Sequence, residues 1–221
     1  MKVLLMSLNS KFIHTNLAIQ SLKKYYETYH QSPEITLEVK EYTINNDMDS
    51  VLRDISKGAY THIFASAYIW NIEPLVILFS NYSKINQTTK IIFGGPEVTY
   101  NARDQLLNHP FLDAVIFGEG EKIFGQLLEN MANSSDDQAF DKTDGIAYRL
   151  SKRRDAEIII NPPMQLIDPL DVIPFPYDAL ETFENRIIYY ESARGCPYSC
   201  SYCLSSASQG VRYLGYERFK S

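Results

Sequence analysis

Five short apolar runs dominate the first half of the chain: KVLLMSL (2–8), ITLEVKEY (35–42), THIFASAY (61–68), KIIFGG (90–95) and DAVIFG (113–118). Their hydrophobicity is mostly continuous rather than alternating, the pattern of strands covered on both faces. Helical periodicity fills the gaps. Ala18, Leu22, Tyr25, Tyr26 and Tyr29 share one helix face, and Val51, Leu52 and Ile55 form a second stripe closed by Gly58. Leu75, Leu78, Phe79, Tyr82 and Ile85 form a third; a weaker helix is predicted over 98–108, and a clear one carries Ile123, Phe124, Leu127, Leu128 and Met131. Five successive βα units predict an α/β fold over residues 1–135, a doubly wound five-stranded parallel sheet of flavodoxin-like order 2-1-3-4-5.

The regularity then ends. NSSDDQAFDKTDG (133–145) is polar and reads as a surface connection, and IAYRL and EIIIN flank the charged SKRRDA as a β-hairpin, giving a connecting unit over 136–165. Prolines 162, 163, 169, 174 and 176 predict an extended, stiff linker centred on 166–185. NRIIYYES (185–192) resumes a strand pattern and opens a last segment, 186–221.

Composition removes several classes of function. The 21 Lys and Arg against 27 Asp and Glu give 21 − 27 = −6, with no dense basic block beyond Lys152, Arg153 and Arg154, so nucleic acid is not an expected partner. No apolar stretch approaches the roughly 20 residues that span a bilayer, and MKVLLMSLNSKF lacks the cleavage site of a signal peptide. A cytoplasmic location is expected. An odd number of cysteines, all in one short stretch, also argues against a secreted disulfide framework.

That stretch is RGCPYSCSYC, in which Cys196, Cys200 and Cys203 form C-x3-C-x2-C. A folded-back loop of this spacing can aim three thiolates at one centre, and thiolates suit iron–sulfur clusters or zinc. Three thiolates on a four-iron cluster leave one iron open to a small molecule. Zinc usually takes a fourth Cys or His, and His14, His30, His62 and His109 all lie far from the loop in sequence. Spacing favours iron–sulfur, with zinc or an unliganded structural loop as the alternatives.

The longer string SARGCPYSCSYC, with Arg194, Gly195, Pro197 and Tyr202 around the cysteines, resembles the signature of the radical S-adenosylmethionine family. The resemblance implies a 4Fe-4S cluster on Cys196, Cys200 and Cys203, S-adenosyl-L-methionine on the open iron, and a reductant such as flavodoxin or ferredoxin. It also implies Tyr202 against the adenine, although Tyr202 could simply pack the loop. Residues 186–221 would then begin a partial βα barrel. Only Leu204–Ser221 follow the last cysteine, so the chain is expected to be the N-terminal part of a longer enzyme, inactive alone, with a cut barrel edge able to self-associate.

In an open α/β sheet, ligands bind beyond the C-terminal strand ends at the switch in strand order. The loops there read SLNSKFIHTN (7–16), SAYIWN (66–71), GGPEVT (94–99) and GEGEKIF (118–124). In this order, ahead of the cysteines, they resemble the cobalamin-binding domain of cobalamin-dependent radical S-adenosylmethionine proteins. Candidate cofactor contacts are Asn9, His14, Ser66, Tyr68, Gly94, Gly95, Pro96, Glu97, Gly118, Glu119 and Gly120. The D-x-H-x-x-G of histidine-ligated cobalamin domains is missing. His14 could face the cofactor, bond the helix end or be solvated, and cobalamin with its lower base displaced is the favoured state. Tyr68 and Trp70 could wall the pocket or belong to the core. Glu97, Glu119 and Glu121 could be acid–base carboxylates, or could complement helix dipoles. No catalytic residue is assigned. The resemblance implies a methyltransferase acting on an unactivated centre; the alternative is a cobalamin- or flavin-binding sensor whose cysteine loop is structural.

Overall fold

The computed structural model describes residues 1–153, 155–204 and 210–220. Arg154, part of the expected solvated hairpin turn, lies outside the described residues.

The expected βα alternation is present. Strand β1 (Lys2–Asn9) leads to α1 (Leu17–Tyr29), β2 (Thr36–Thr43), α2 (Met48–Lys57), β3 (His62–Ser66), α3 (Ile72–Ile85) and β4 (Lys90–Gly94). Two short helices, α4 (Pro96–Thr99) and α5 (Ala102–Asn108), precede β5 (Ala114–Ile116), followed by α6 (Gly120–Asn133). Strands β1 to β5 are all parallel, in the order 2-1-3-4-5. The expected single helix over 98–108 is broken between Thr99 and Ala102, where the backbone leaves helical geometry at Asn101 (φ −132°, ψ 31°).

Two features extend this frame. The connection 133–145 contains α7 (Asp136–Asp141), one and a half turns that bury Ala139 and Phe140. The expected hairpin, β6 (Ile146–Arg149) and β7 (Ile158–Ile160), pairs antiparallel with β5 and makes the sheet seven-stranded, in the order 2-1-3-4-5-6-7.

The sheet separates two apolar layers. Leu4, Met6, Leu8, Ile63, Ile91 and Phe93 pack against α2, α3 and α5. Val3, Leu5, Phe64, Ile92 and Ile116 face α1, α6 and α7. Strand alternation sends neighbouring side chains to opposite layers, and both layers are covered, hence the unbroken apolar runs.

The expectation for 185–192 is corrected. NRIIYYES forms no strand of a sheet; its contribution is one parallel bridge, Ile187 to His14, in which the Ile187 N–H donates to Ile13 O (2.6 Å) and the Thr15 N–H to Ile187 O (3.2 Å). Ile187 and Tyr189 engage the β1–α1 loop instead, while Tyr190 packs against Phe175. The Tyr177 hydroxyl, buried in the linker, donates to Tyr189 O (2.8 Å). The next strand, β8 (Ala193–Cys196), pairs antiparallel with β9 (Gly210–Tyr213), and α8 (Tyr216–Lys220) follows.

Candidate functional site

At the C-terminal ends of the parallel strands, on the α1–α6 side, the sheet opens into a cavity of ≈ 310 Å³. Its inner wall is apolar, made by Leu5, Phe64 and Ile116 from the sheet and Leu17, Ala18, Ile19 and Leu22 from α1. Leu17, Ala18 and Leu22 remain half-exposed because they border this space rather than the packed core. The Asn16 carboxamide caps α1 by accepting from the Ile19 N–H (3.1 Å), which fixes where the helix starts relative to β1.

The rim is built from the switch-point loops. Ser66, Tyr68, Gly94, Gly95, Gly118, Glu119 and Gly120 line the cavity, as do Ser21, Glu121, Glu191 and Arg194. Gly95, at φ +115°, lies so close to β3 that a Cβ would stand 2.4 Å from Ala67 O. Only glycine satisfies that turn. Gly118, at φ +90°, is different: nothing lies within 4 Å of where its Cβ would be, so it leaves open space at the mouth. Asn71 locks the β3 loop, its carboxamide accepting from the Tyr68 N–H (2.7 Å) and donating to Leu8 O and Ser66 O (3.0 Å each). Tyr68 and Trp70 stack at 4.5 Å with planes 10° apart, and burial pushes the Tyr68 hydroxyl pKa up.

The other expected contacts are placed elsewhere. Asn9 is buried at the end of β1, donating to His14 O (2.8 Å) and Glu41 Oε2 (2.7 Å). His14 pairs through Nδ1 with the Tyr189 hydroxyl at 2.5 Å and does not line the cavity. Pro96 and Glu97 form the first turn of α4 beside it, also outside its lining. Tyr202 is 91% exposed.

Sequence reading named Glu119, Glu121 and Arg194 singly but did not join them, or Arg212, into the charged seam on one side of the cavity. Glu121, in the first turn of α6, is buried with its side chain 7% exposed; it accepts from Ser21 Oγ (3.0 Å) and from both terminal nitrogens of Arg194. Burial pushes the Glu121 carboxyl pKa up, but the Arg194 guanidinium outweighs it and holds the group below the usual carboxylate range. Arg194 also donates through Nε to Glu191 (2.6 Å); burial lowers its pKa, and these carboxylates more than reverse that. Next to this pair, Arg212 of β9 forks onto Glu119, which also accepts from the Ile167 N–H (2.6 Å). The signal available for Glu121 was its place after Gly120 in a helix first turn; for Arg212 there was none.

Cys196 ends β8, and Cys200 and Cys203 lie in the following turn, where the Cys203 N–H donates to Cys200 O (3.2 Å). None is in a disulfide. Among the described residues no three His, Cys, Asp or Glu side chains are grouped to hold a metal ion as placed. The donor set itself, three thiols within eight positions, suits a soft metal or cluster.

The sequence profile of the B12 binding domain matches residues 3–128, more than half of the chain, and the matched segment runs from β1 into α6 around this cavity. The chain belongs to the B12-binding domain family. Over 138 residues, 60% of this chain and 28% of the relative, it is 31% identical to an uncharacterized methyltransferase, PH0819, of Pyrococcus horikoshii. It is 29% identical over 148 residues to the cobalamin-dependent radical SAM methyltransferase TokK of Streptomyces tokunonensis, covering 62% of this chain and 21% of TokK. The chain thus spans about a quarter of the length of these relatives. The B12-binding domain and the segment after it also share a fold with the apo form of the cobalamin-dependent S-adenosylmethionine radical enzyme OxsB. That match has TM-score 0.74 and 18% identity and covers 99% of this chain and 30% of OxsB. No helix among the described residues is long and apolar enough to cross a membrane.

Proposed function

We propose that this chain is the corrinoid-binding part of a cobalamin-dependent radical S-adenosylmethionine methyltransferase acting on an unactivated centre. The observation that carries the proposal is the cavity at the switch point of a B12-binding domain, with the cysteine-bearing hairpin held against its wall. Its volume, ≈ 310 Å³, lies at the lower end of the ~300–1,000 Å³ usual for small-molecule sites. A corrin is too large for it, but the displaced nucleotide tail of cobalamin is the right class of group, and the missing side chain at Gly118 leaves the entrance clear.

In this reading the residues have distinct tasks. Leu5, Phe64, Ile116 and Leu22 shield the apolar base from water, while Ser66, Gly94 and Gly95 present backbone to the tail. Tyr68 and Trp70 supply a flat apolar surface at the mouth. His14 lies outside the cavity lining and its segment lacks D-x-H-x-x-G, so it would not be expected to give cobalt a ligand. Cys196, Cys200 and Cys203 would hold a 4Fe-4S cluster, with S-adenosyl-L-methionine on its open iron and Tyr202 beside the adenine. When bound, the cluster supplies radical generation and the corrinoid supplies the methyl group. Flavodoxin or ferredoxin would deliver the electron.

Anaerobic reconstitution of the complete natural polypeptide tests this reading. The expected result is about four irons per chain, uptake of cobalamin with a base-off visible spectrum, and loss of the iron in Cys200→Ala. Preferential uptake of zinc, or failure to bind any corrinoid, would refute it.

A further inference from the structure

The strand that carries Cys196 and the wall of the cavity are joined by one buried ion pair. Arg194 lies in β8, two residues before Cys196; Glu121 lies in the first turn of α6; and both line the cavity. The pair is strongly desolvated, with side chains 15% and 7% exposed, and the guanidinium meets the carboxylate through both terminal nitrogens. That fork fixes orientation as well as distance. Ser21, from the adjacent helix α1, donates to the same carboxylate (3.0 Å). The neighbouring Arg212–Glu119 fork ties β9, the partner of β8, to the residue before α6. Both strands of the hairpin are therefore anchored at the GEGE turn that forms part of the rim.

We propose that the Glu121–Arg194 pair is a positioning device that couples occupancy of the cavity to the placement of the cysteine hairpin. A ligand tail in the cavity packs against Arg194 and the Glu121 carboxylate, excludes water from them and fixes their rotamers. With water excluded, the ion pair holds more strongly, and the backbone of β8 is held with it. The proposal rests on the reading that the cavity receives the corrinoid tail. It adds that loading the corrinoid orders the cluster-bearing strand before any chemistry takes place. Neither residue is assigned a bond to a reacting atom; both act through the hairpin.

The test needs neither cluster nor turnover. Hydrogen–deuterium exchange is followed at the β8 and β9 amides of the complete polypeptide, with and without saturating hydroxocobalamin. In the natural protein, hydroxocobalamin should slow exchange at these amides about fivefold or more. Arg194→Lys keeps the charge but loses the fork; at saturating hydroxocobalamin it should lose most of the added protection, and its affinity should fall by about the same factor as the protection lost, because the coupling is reciprocal. Glu121→Gln tests the same pair from the other side, should the lysine variant fold poorly. Glu129→Gln, which removes an α6 carboxylate bonded to His30 at the end of α1, should leave the protection unchanged. Binding without protection of β8, or full protection in both pair variants, would overturn the coupling alone. Absence of binding in the natural protein would overturn the corrinoid reading and the coupling with it.

Discussion

Gly94 closes β4 on the sheet face that looks into the cavity, and its φ is not in the left-handed region, so a side chain there meets no backbone strain. A Cβ at this position would find Ile116 Cβ at 3.6 Å and Ile116 O at 3.8 Å, ordinary contact distances. Gly94→Leu adds four carbons; at roughly the 30 Å³ of a water each they occupy about 120 Å³. That is more than a third of the ≈ 310 Å³ now open. In the empty protein the leucine gains contact with the apolar wall. Full burial of such a side chain is worth ~1.5–3 kcal/mol, and the open mouth reduces this to about 1 kcal/mol, a rise of ~2–4 °C in Tm for a domain of this size. With the corrinoid tail present the same atoms overpack the site, at a cost of ~1–3 kcal/mol, which weakens affinity about 5- to 150-fold. The two effects have opposite signs, so a merely damaged protein cannot imitate the pair. Thermal denaturation without ligand and spectrophotometric titration with hydroxocobalamin measure them separately. Unchanged affinity alongside a raised Tm would show that the filled space is not where the cofactor tail goes.

Gly95→Ala should behave otherwise: a Cβ 2.4 Å from Ala67 O at φ +115° should cost about 3 kcal/mol in urea denaturation, and a value under about 1 kcal/mol would contradict the geometry. Arg194 holds the Glu121 carboxyl pKa below its unfolded value against the opposing effect of burial. The pair's contribution is therefore complete above the ~4.3 of an unfolded glutamate and drains as pH falls through the lower folded value. Urea midpoints measured from pH 6 to 3 should fall less steeply in Glu121→Gln than in the natural protein; parallel curves would contradict the assignment. His14→Ala, which removes the bond to the Tyr189 hydroxyl, should leave the visible spectrum of bound cobalamin unchanged, and loss of a histidine-ligated spectrum would reverse the axial-ligand reading.

The parallel sheet was legible because a strand covered on both faces is apolar at nearly every position, and KVLLMSL and KIIFGG have that character locally. Pairing between β5 and β6 was not legible, because nothing in IAYRL says which edge it joins. Helix α7 was hidden for a simpler reason: two buried residues in one and a half turns set up no period. The site divides in the same way. Gly94, Gly95, Gly118 and Gly120 were readable because glycine pairs at strand ends mark close backbone approach, and all four line the cavity. NRIIYYES misled, since β-branched and aromatic residues have strand propensity, yet tertiary context gave Ile187 a loop as its partner. The Glu121–Arg194 fork joins residues 73 positions apart, and single charged residues carry no address for each other.

The seven-stranded sheet also acts as a partition with unequal obligations on its two sides. The layer of α2, α3 and α5 has only itself to pack, so any set of apolar residues that conserves volume satisfies it. The layer of α1 and α6 must leave a hole, keep a carboxylate dry and hold a hairpin at a fixed angle, and few sequences meet all three demands. Grafting α2 and α3 from a distant relative should therefore be tolerated after modest repacking, whereas exchanging α1 or α6 alone should break the match between them. Divergence within such domains is then expected to run fastest on the side turned away from the cavity, with the central strands as the boundary between the two rates.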